Sequence, residues 1–354
     1  MKIFITGICG FAGSHIATWL KQRDAGITIS GIDNFIRPGS EINRLRLKKN
    51  GIAVSHGDIR NPSDFEGLPS ADWVIDAAAN PSVLAGVDGT TSPRQLLEHN
   101  LAGTINILEY CRRAKAGFIL LSTSRVYSIP ALASLPLRVD NNTFVLDEAH
   151  PLPQGVSSDG IHTSFSTESP LSLYGSTKLA SELLALEYAS AFSLPVWINR
   201  CGVLAGAGQF GTAEQGIFSY WIHACARHKP LRYIGFGGLG YQVRDALHPA
   251  DLAELLYAQI TQSKTTATRR FNVGGGAANA MSLRQLTEWC AIRFGNHTVD
   301  ADQRQRPFDI PWVVIDNNSA KEAFNWTPKR KLAEILEEIA VHANSNPDWS
   351  DLVQ

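Results

Sequence analysis

The sequence predicts an α/β fold, a doubly wound parallel sheet followed by a smaller C-terminal lobe. Three observations predict it. The chain opens on a short apolar strand, Lys2 to Thr6, that runs into the spaced glycines Gly7, Gly10 and Gly13, and then into a helical pattern carried by Phe11, Ile16, Trp19 and Leu20. Short apolar runs then alternate with longer amphipathic ones up to residue 200, the pattern of repeated β-α-β units. Hydrophobic residues make up 44% of the 354 and charged residues 18%, which supplies a large core and is too little charge for disorder.

Each element has its own signal. A strand, a glycine turn and a helix make a dinucleotide cradle: the first glycine permits the tight turn, the second lets a pyrophosphate approach the backbone, and the third lets helix and strand pack closely. Residues 27–33 read as a second strand ending in Asp33, twenty residues after Gly13, where a ribose-binding carboxylate is expected. Such a carboxylate accepts from both ribose hydroxyls and repels a 2′-phosphate, which predicts NAD over NADP; nearby Arg37 keeps NADP open. Residues 34–50 are polar and predict a loop with a short helix. Residues 51–56 form a third strand running into Asp58, a candidate for the adenine amino group or, alternatively, for capping a helix from Pro62. The fourth strand, 71–76, ends in Ala77, Ala78, Ala79 and Asn80, small residues that leave space for a cofactor.

A long amphipathic helix follows over 93–114, with Asn100 in its middle, and then a fifth strand, 117–121, leads into Ser122-Thr123-Ser124-Arg125-Val126-Tyr127. Residues 128–170 are rich in Ser, Pro, Asp and Asn and show no long element; a stretch of that length is functional or disordered. A helix over 171–191 and a sixth strand over 195–200 complete the regular part. Beyond lie a glycine-rich loop (202–216), helices over 217–228, 249–262, 283–294 and 331–343, and strands over 231–234 and 270–273. The expected organisation is a Rossmann-type nucleotide-binding domain over 1–200, with segments near 241–273 returning to it, and a substrate-binding lobe over 201–240 and 274–354.

Bulk properties exclude several classes. A net charge of −1 offers no basic surface for nucleic acid. No apolar run is long enough to span a membrane, and the opening strand leaves no room for a cleaved signal peptide. Five cysteines without a C-x-x-C pair predict a reducing, cytoplasmic setting with no disulfide framework, and ten histidines without ligand spacing predict no metal.

The chemistry is concentrated in Tyr174-Gly-Ser-Thr-Lys178. Tyr and Lys at i and i+4 share one helix face. A Lys ammonium beside a phenol favours the phenolate and lowers its pKa, and it also reaches ribose hydroxyls. Such a Tyr removes the proton from a substrate alcohol while hydride leaves to NAD⁺. Thr123, at the carboxyl end of the fifth strand, faces the same crevice and orients the reacting hydroxyl; Ser122 and Ser124 take that place if the register slips.

G-x-x-G-x-x-G at 7–13, Asp33, S-T-x-x-V-Y at 122–127 and Y-x-x-x-K at 174–178 together resemble the extended short-chain dehydrogenase/reductase family, and within it the nucleotide-sugar epimerases and dehydratases. Arg244-Asp245 with His248, and Arg306-Pro-Phe-Asp309, are similar to the family's two arginine segments, which implies that Arg244 and Arg306 hold a diphosphate. Gln209-Phe210, Gln215-Gly216 and Asp33-Asn34-Phe35 with Arg37 resemble the CDP-paratose 2-epimerase branch. The resemblance implies a cofactor-facing set of Gly7, Gly10, Phe11, Ala12, Gly13, Asp33, Asn34, Arg37, Asp58, Ile59, Ala77, Ala78, Asn100, Ser122, Tyr174, Lys178 and Arg200. It implies a substrate-facing set of Ser124, Arg125, Gln209, Phe210, Gln215, Arg244 and Arg306, with Thr123, Tyr174 and Lys178 catalytic.

The implied reaction takes hydride from a sugar carbon to tightly held NAD⁺ and returns it to the opposite face, so no external oxidant is needed. The implied substrate is a nucleotide-diphosphate sugar, oxidised at C2, or at C4 as in UDP-hexose 4-epimerases. Dehydratases of the family place Asp-Glu directly after the active-site Thr; Ser124-Arg125 stands there instead, which argues against elimination. A net oxidoreductase and a non-catalytic NAD-binding sensor are the remaining readings. Relatives pair two long helices per subunit, so the helices from Pro93 and Leu171 imply a homodimer.

Overall fold

The computed structural model describes residues 1–89, 91–262 and 269–352; residues 263–268 of the segment expected to return to the sheet and 353–354 of the lobe lie outside the described residues. Among those described, seven parallel strands form the main sheet, in spatial order Arg270–Val273, Val196–Cys201, Gly117–Thr123, Trp73–Asp76, Lys2–Thr6, Thr28–Asp33 and Ala53–His56. This is the expected Rossmann-type arrangement. The chain winds outward in both directions from the first strand, so a crevice opens above the carboxyl ends of the first and fourth strands.

The strands are apolar because both sheet faces are covered. Every residue of Gly117–Thr123 is buried. One face packs Ile16, Leu20, Leu252, Leu256 and Trp326, and the other packs Ile107, Leu108, Cys111 and Ala185. The helix Phe11–Arg23 sits tightly against its turn: a Cβ on Gly13 would lie 2.4 Å from the Gly7 carbonyl oxygen, so no larger residue fits.

Two expected elements differ. The helix over 93–114 is broken by a π-turn over Glu98–Ala102 between Pro93–Leu97 and Gly103–Ala114. At that turn the Asn100 amide clasps the backbone of Asn80, accepting from its N–H at 2.8 Å and donating to its carbonyl at 3.0 Å. One turn on, Gly103 lets Ile59 approach to where a Cβ would meet it at 2.5 Å. Residues 128–170 are ordered, with a short helix Ile129–Ala133 and two small hairpins, Leu137–Asp140 with Thr143–Leu146 and Val156–Ser157 with Gly160–Ile161.

Of the segment near 241–273, Arg270–Val273 joins the main sheet as its edge strand. Val243–Leu247 instead pairs with Val203–Leu204, Ala280–Ser282 and Trp312–Val313 in a separate small sheet. Trp221, Ile222, Tyr233, Leu286, Ile335 and Ile339 form the core beneath it. Among the described residues no helix is long and apolar enough to cross a membrane.

Candidate active site

A cavity of about 890 Å³ runs from the glycine turn, over the carboxyl ends of the strands, to the C-terminal lobe. At the glycine-turn end the backbone is drawn together. Gly7 has φ +61°, and a Cβ there would lie 2.8 Å from Ala78 Cα. No side chain caps the helix that starts at Phe11, so its N-terminus is open to an anion. Asp33 lines the cavity at the end of the second strand, its carboxylate accepting from the N–H groups of Cys9 and Phe35, each at 2.9 Å. Burial pushes its carboxyl above the usual range, and those backbone bonds pull it back. A close-packed glycine turn, an open helix N-terminus and a strand-end acid fit a dinucleotide.

Thr123 ends the fifth strand, and Tyr174 and Lys178 stand one turn apart on the helix Leu173–Phe192, which Ser172 caps through Gly175 N–H at 3.1 Å. The Tyr174 phenol is hydrogen-bonded to the Thr123 hydroxyl. The expected lowering of Tyr174 by Lys178 is not found. Burial pushes the phenol up to about 12, opposed by the Thr123 bond and the Arg125 charge. The physical reason is that Lys178 points elsewhere, its Nζ donating to the Leu121 carbonyl at 3.1 Å. Burial lowers the Lys178 pKa, while Asp76, Cys201 and Glu182 favour its charge.

At the lobe end three cations converge. Arg125 donates to the Phe308 carbonyl at 2.9 Å, Arg306 to the Ala213 carbonyl at 3.1 Å, and Arg244 lies 3.6 Å from the Asp309 carboxylate. Burial, helped by the neighbouring Arg244 and Arg306 charges, lowers Arg125 to about 10, and burial lowers Arg244 as well. Three guanidinium groups around one carboxylate leave an excess of positive charge, which a diphosphate complements.

Three expected cofactor residues are not in the cavity wall. Asp58 is engaged by Arg60 at 2.6 Å and Asn34 at 3.1 Å; burial raises its carboxyl, but these partners outweigh it and hold it well below the usual range. Nor does it cap a helix from Pro62, since that turn has Asn61 at its start and no side-chain cap. Asn100 is buried in its clasp on Asn80 and a 3.3 Å bond to Thr177. Arg200 lies beneath the floor, paired with Glu182 at 2.7 Å, while Ser122, which does line the cavity, donates to the same carboxylate at 2.5 Å. The remaining expected residues, Gly10, Ala12, Asn34, Arg37, Ile59, Ala77, Ser124, Gln209, Phe210 and Gln215 among them, do line it.

The sequence matches known proteins over most of the chain. The model of the NAD dependent epimerase/dehydratase family matches residues 3–274. The chain belongs to that family. It is 30% identical to the CDP-paratose 2-epimerase of Salmonella typhi over 93% of its own length and 95% of the relative's. It is 24% identical to the UDP-glucuronate 4-epimerase of Thermodesulfobacterium geofontis, covering 97% of this chain and 96% of that one. A crystal structure of UDP-glucuronic acid 4-epimerase from Bacillus cereus with UDP-glucuronic acid and NAD superimposes with a TM-score of 0.78 at 23% identity, over 98% of this chain and 99% of that one, a likeness of fold. Like its family, this NAD dependent epimerase/dehydratase is an enzyme, and its cofactor is NAD.

One residue of this epimerase/dehydratase escaped the sequence reading. His99 is 8% exposed and lines the cavity beside Ile59. Its Nδ1 lies 3.1 Å from the Gln95 carbonyl, so the network assigns the proton there and leaves Nε2 an acceptor. That Nε2 is buried without a partner. The signal was present in the i, i+4 spacing of Gln95 and His99 on one helix face, but the neighbouring Asn100 drew the assignment.

Proposed function

We propose that this enzyme epimerises a nucleotide-diphosphate sugar by transient oxidation to a keto-sugar and re-reduction on the opposite face. The observation that carries the reading is that Thr123, Tyr174 and Lys178 share one cavity with the glycine cradle and with the cluster of Arg125, Arg244 and Arg306. NAD supplies the acceptor and donor of hydride when bound. Tyr174 takes the proton from the sugar hydroxyl and later returns it, Thr123 orients that hydroxyl through the shared hydrogen bond, and Lys178 offers its ammonium to the ribose hydroxyls of the cofactor. Arg244 and Arg306 grip the diphosphate, so the sugar turns about a fixed anchor. Arg125, standing where an acid is needed for elimination, speaks for epimerisation over dehydration.

The CDP-paratose 2-epimerase of Salmonella typhi, 30% identical to this chain, supports C2 as the oxidised carbon and CDP as the nucleotide. The UDP-sugar 4-epimerases matched at 24% identity support the alternative, oxidation at C4 of a UDP-hexose. The test mixes protein purified without added cofactor with CDP-, UDP-, GDP- and dTDP-sugars and follows NADH absorbance and sugar configuration. A transient NADH signal with an inverted sugar from one nucleotide is expected. NADH that persists at one equivalent per bound NAD with a released keto-sugar, and rises further only when NAD is added, would instead make it a net oxidoreductase, and bound NAD silent to every sugar would favour a sensor.

Asp33 is proposed to select NAD. Asp33→Asn removes the charge that opposes a 2′-phosphate and is expected to narrow the NAD-to-NADP affinity ratio by about tenfold or more. An unchanged ratio in equilibrium binding would remove Asp33 from the ribose site.

We also propose a homodimer built on the helices of 93–114 and 173–192, which expose Leu97, Ile105, Leu183 and Phe192. The five buried, unpaired cysteines suit the reducing cytoplasm.

A further inference from the structure

Arg37 stands on the loop after the second strand, where sequence reasoning places it beside the ribose. Its guanidinium is turned toward the other end of the cavity. Nη2 donates to the Phe210 carbonyl, Nη1 donates to Gln215 Oε1 at 3.4 Å, and the guanidinium carbon lies 6.0 Å from the centre of the Phe210 ring. Phe210 stacks on Trp349 at 5.5 Å, and the Trp349 indole N–H donates to the Gln209 carbonyl at 3.0 Å. Arg306 reaches the same segment with its bond to the Ala213 carbonyl.

Residues 209–216 therefore form a strap along the cavity, held by an arginine from the nucleotide-binding side and one from the lobe. Gly208 and Gly216, at φ +73° and +70°, bound the strap with backbone that L side chains rarely adopt. The strap carries an unmet group. Gln209 Nε2 donates to the Leu204 carbonyl at 2.6 Å, which fixes the amide and leaves Oε1 buried in the cavity wall without a partner. A buried acceptor of this kind calls for a donor from a ligand, such as a sugar hydroxyl or a base amine.

We propose that Arg37 is a positioning residue for the substrate and not a ligand of the cofactor. It ties the strap to the nucleotide-binding domain and so holds Gln209 and Gln215 in the substrate's part of the cavity. A forked donor is required because one side chain must satisfy two acceptors, Phe210 O and Gln215 Oε1, which a single ammonium does less well. The same orientation leaves the guanidinium committed away from a 2′-phosphate. The proposal rests on the nucleotide-sugar reading above for the identity of the substrate.

The test uses the full-length protein with the NAD it carries, and the variants Arg37→Ala, Arg37→Lys and Gln215→Ala. Three quantities are read: NAD retained and the NAD-to-NADP affinity ratio; the rate of chymotryptic cleavage after Phe210; and KM and kcat with the sugar nucleotide that is turned over. Arg37→Ala is expected to raise KM about tenfold with kcat changed by less than about twofold, and to accelerate cleavage about tenfold, while NAD binding stays at the parent level. Arg37→Lys falls between, and Gln215→Ala moves KM and cleavage in the same direction by less.

Loss of NAD with unchanged KM would make Arg37 a cofactor ligand and overturn the proposal, as would unchanged KM and cleavage together. If Arg37→Ala does not fold, Gln215→Ala reads the same link from its other end. If no sugar nucleotide reacts, the functional reading fails separately, and cleavage and NAD retention still decide the role of Arg37 because neither needs a substrate.

Discussion

Replacing Tyr174 with Phe lowers kcat by about a thousandfold and leaves NAD bound, because the phenol is the group proposed to carry the proton and the cofactor cradle lies elsewhere in the cavity. The ring is retained, so packing is preserved around a side chain that is 8% exposed. The structure adds a pH expectation. The competent form is the phenolate, and burial pushes this phenol up to about 12. The rate of sugar oxidation therefore rises with pH through the neutral and mildly alkaline range. The check is single-turnover NADH formation against pH in the parent, and turnover against retained NAD in the variant. Activity of Tyr174→Phe within a few-fold of the parent would mean that another group moves the proton.

Replacing Glu182 with Ala destabilises the fold by about 3–5 kcal/mol, the usual loss when one partner of a buried ion pair is removed. Arg200 and Glu182 are 1% and 0% exposed and pair at 2.7 Å, with Arg200 also donating to the Thr163 carbonyl at 3.2 Å. Burial works against the guanidinium charge, and the bonds and attraction of Glu182 outweigh it, so Arg200 is held above its ordinary pKa. Without Glu182 that buried charge has lost its carboxylate partner. Thermal unfolding measures the effect as a drop of several degrees in Tm, with Arg94→Ala, from an exposed pair with Glu98, as the unchanged control. Equal Tm values for Glu182→Ala and the parent would show that the pair is structurally idle.

The glycine turn and the sheet around it were the more legible part of the chain. Glycine spacing, the acid after the second strand and the alternation of strand and helix are local patterns, and a dinucleotide cradle is built from consecutive residues of one β-α-β unit. That Thr123, Tyr174 and Lys178 share one cavity was legible for a related reason, since Thr123 closes a strand and Tyr174 with Lys178 spans one helical turn. Illegible were the roles that depend on direction. Asp58, Asn100 and Arg200 are polar residues near the carboxyl edge of the sheet, as the pattern required, but their side chains meet Arg60, Asn80 and Glu182 before they meet the cavity. Nothing in the local sequence ranks those partners against a ligand.

The amino-acid order alone thus reaches the α/β class through periodicity and spacing within short stretches, and the family through the resemblance its motifs carry. Tertiary packing decides the rest. It brings Arg125, Arg244 and Arg306 together from segments far apart in the chain. It sends Lys178 to the Leu121 carbonyl instead of to Tyr174, and it turns Arg37 from the ribose toward residues 209–216. The reason is physical: a long flexible cation takes the best acceptor within reach once water is excluded, and which acceptor is within reach exists only after the chain has closed.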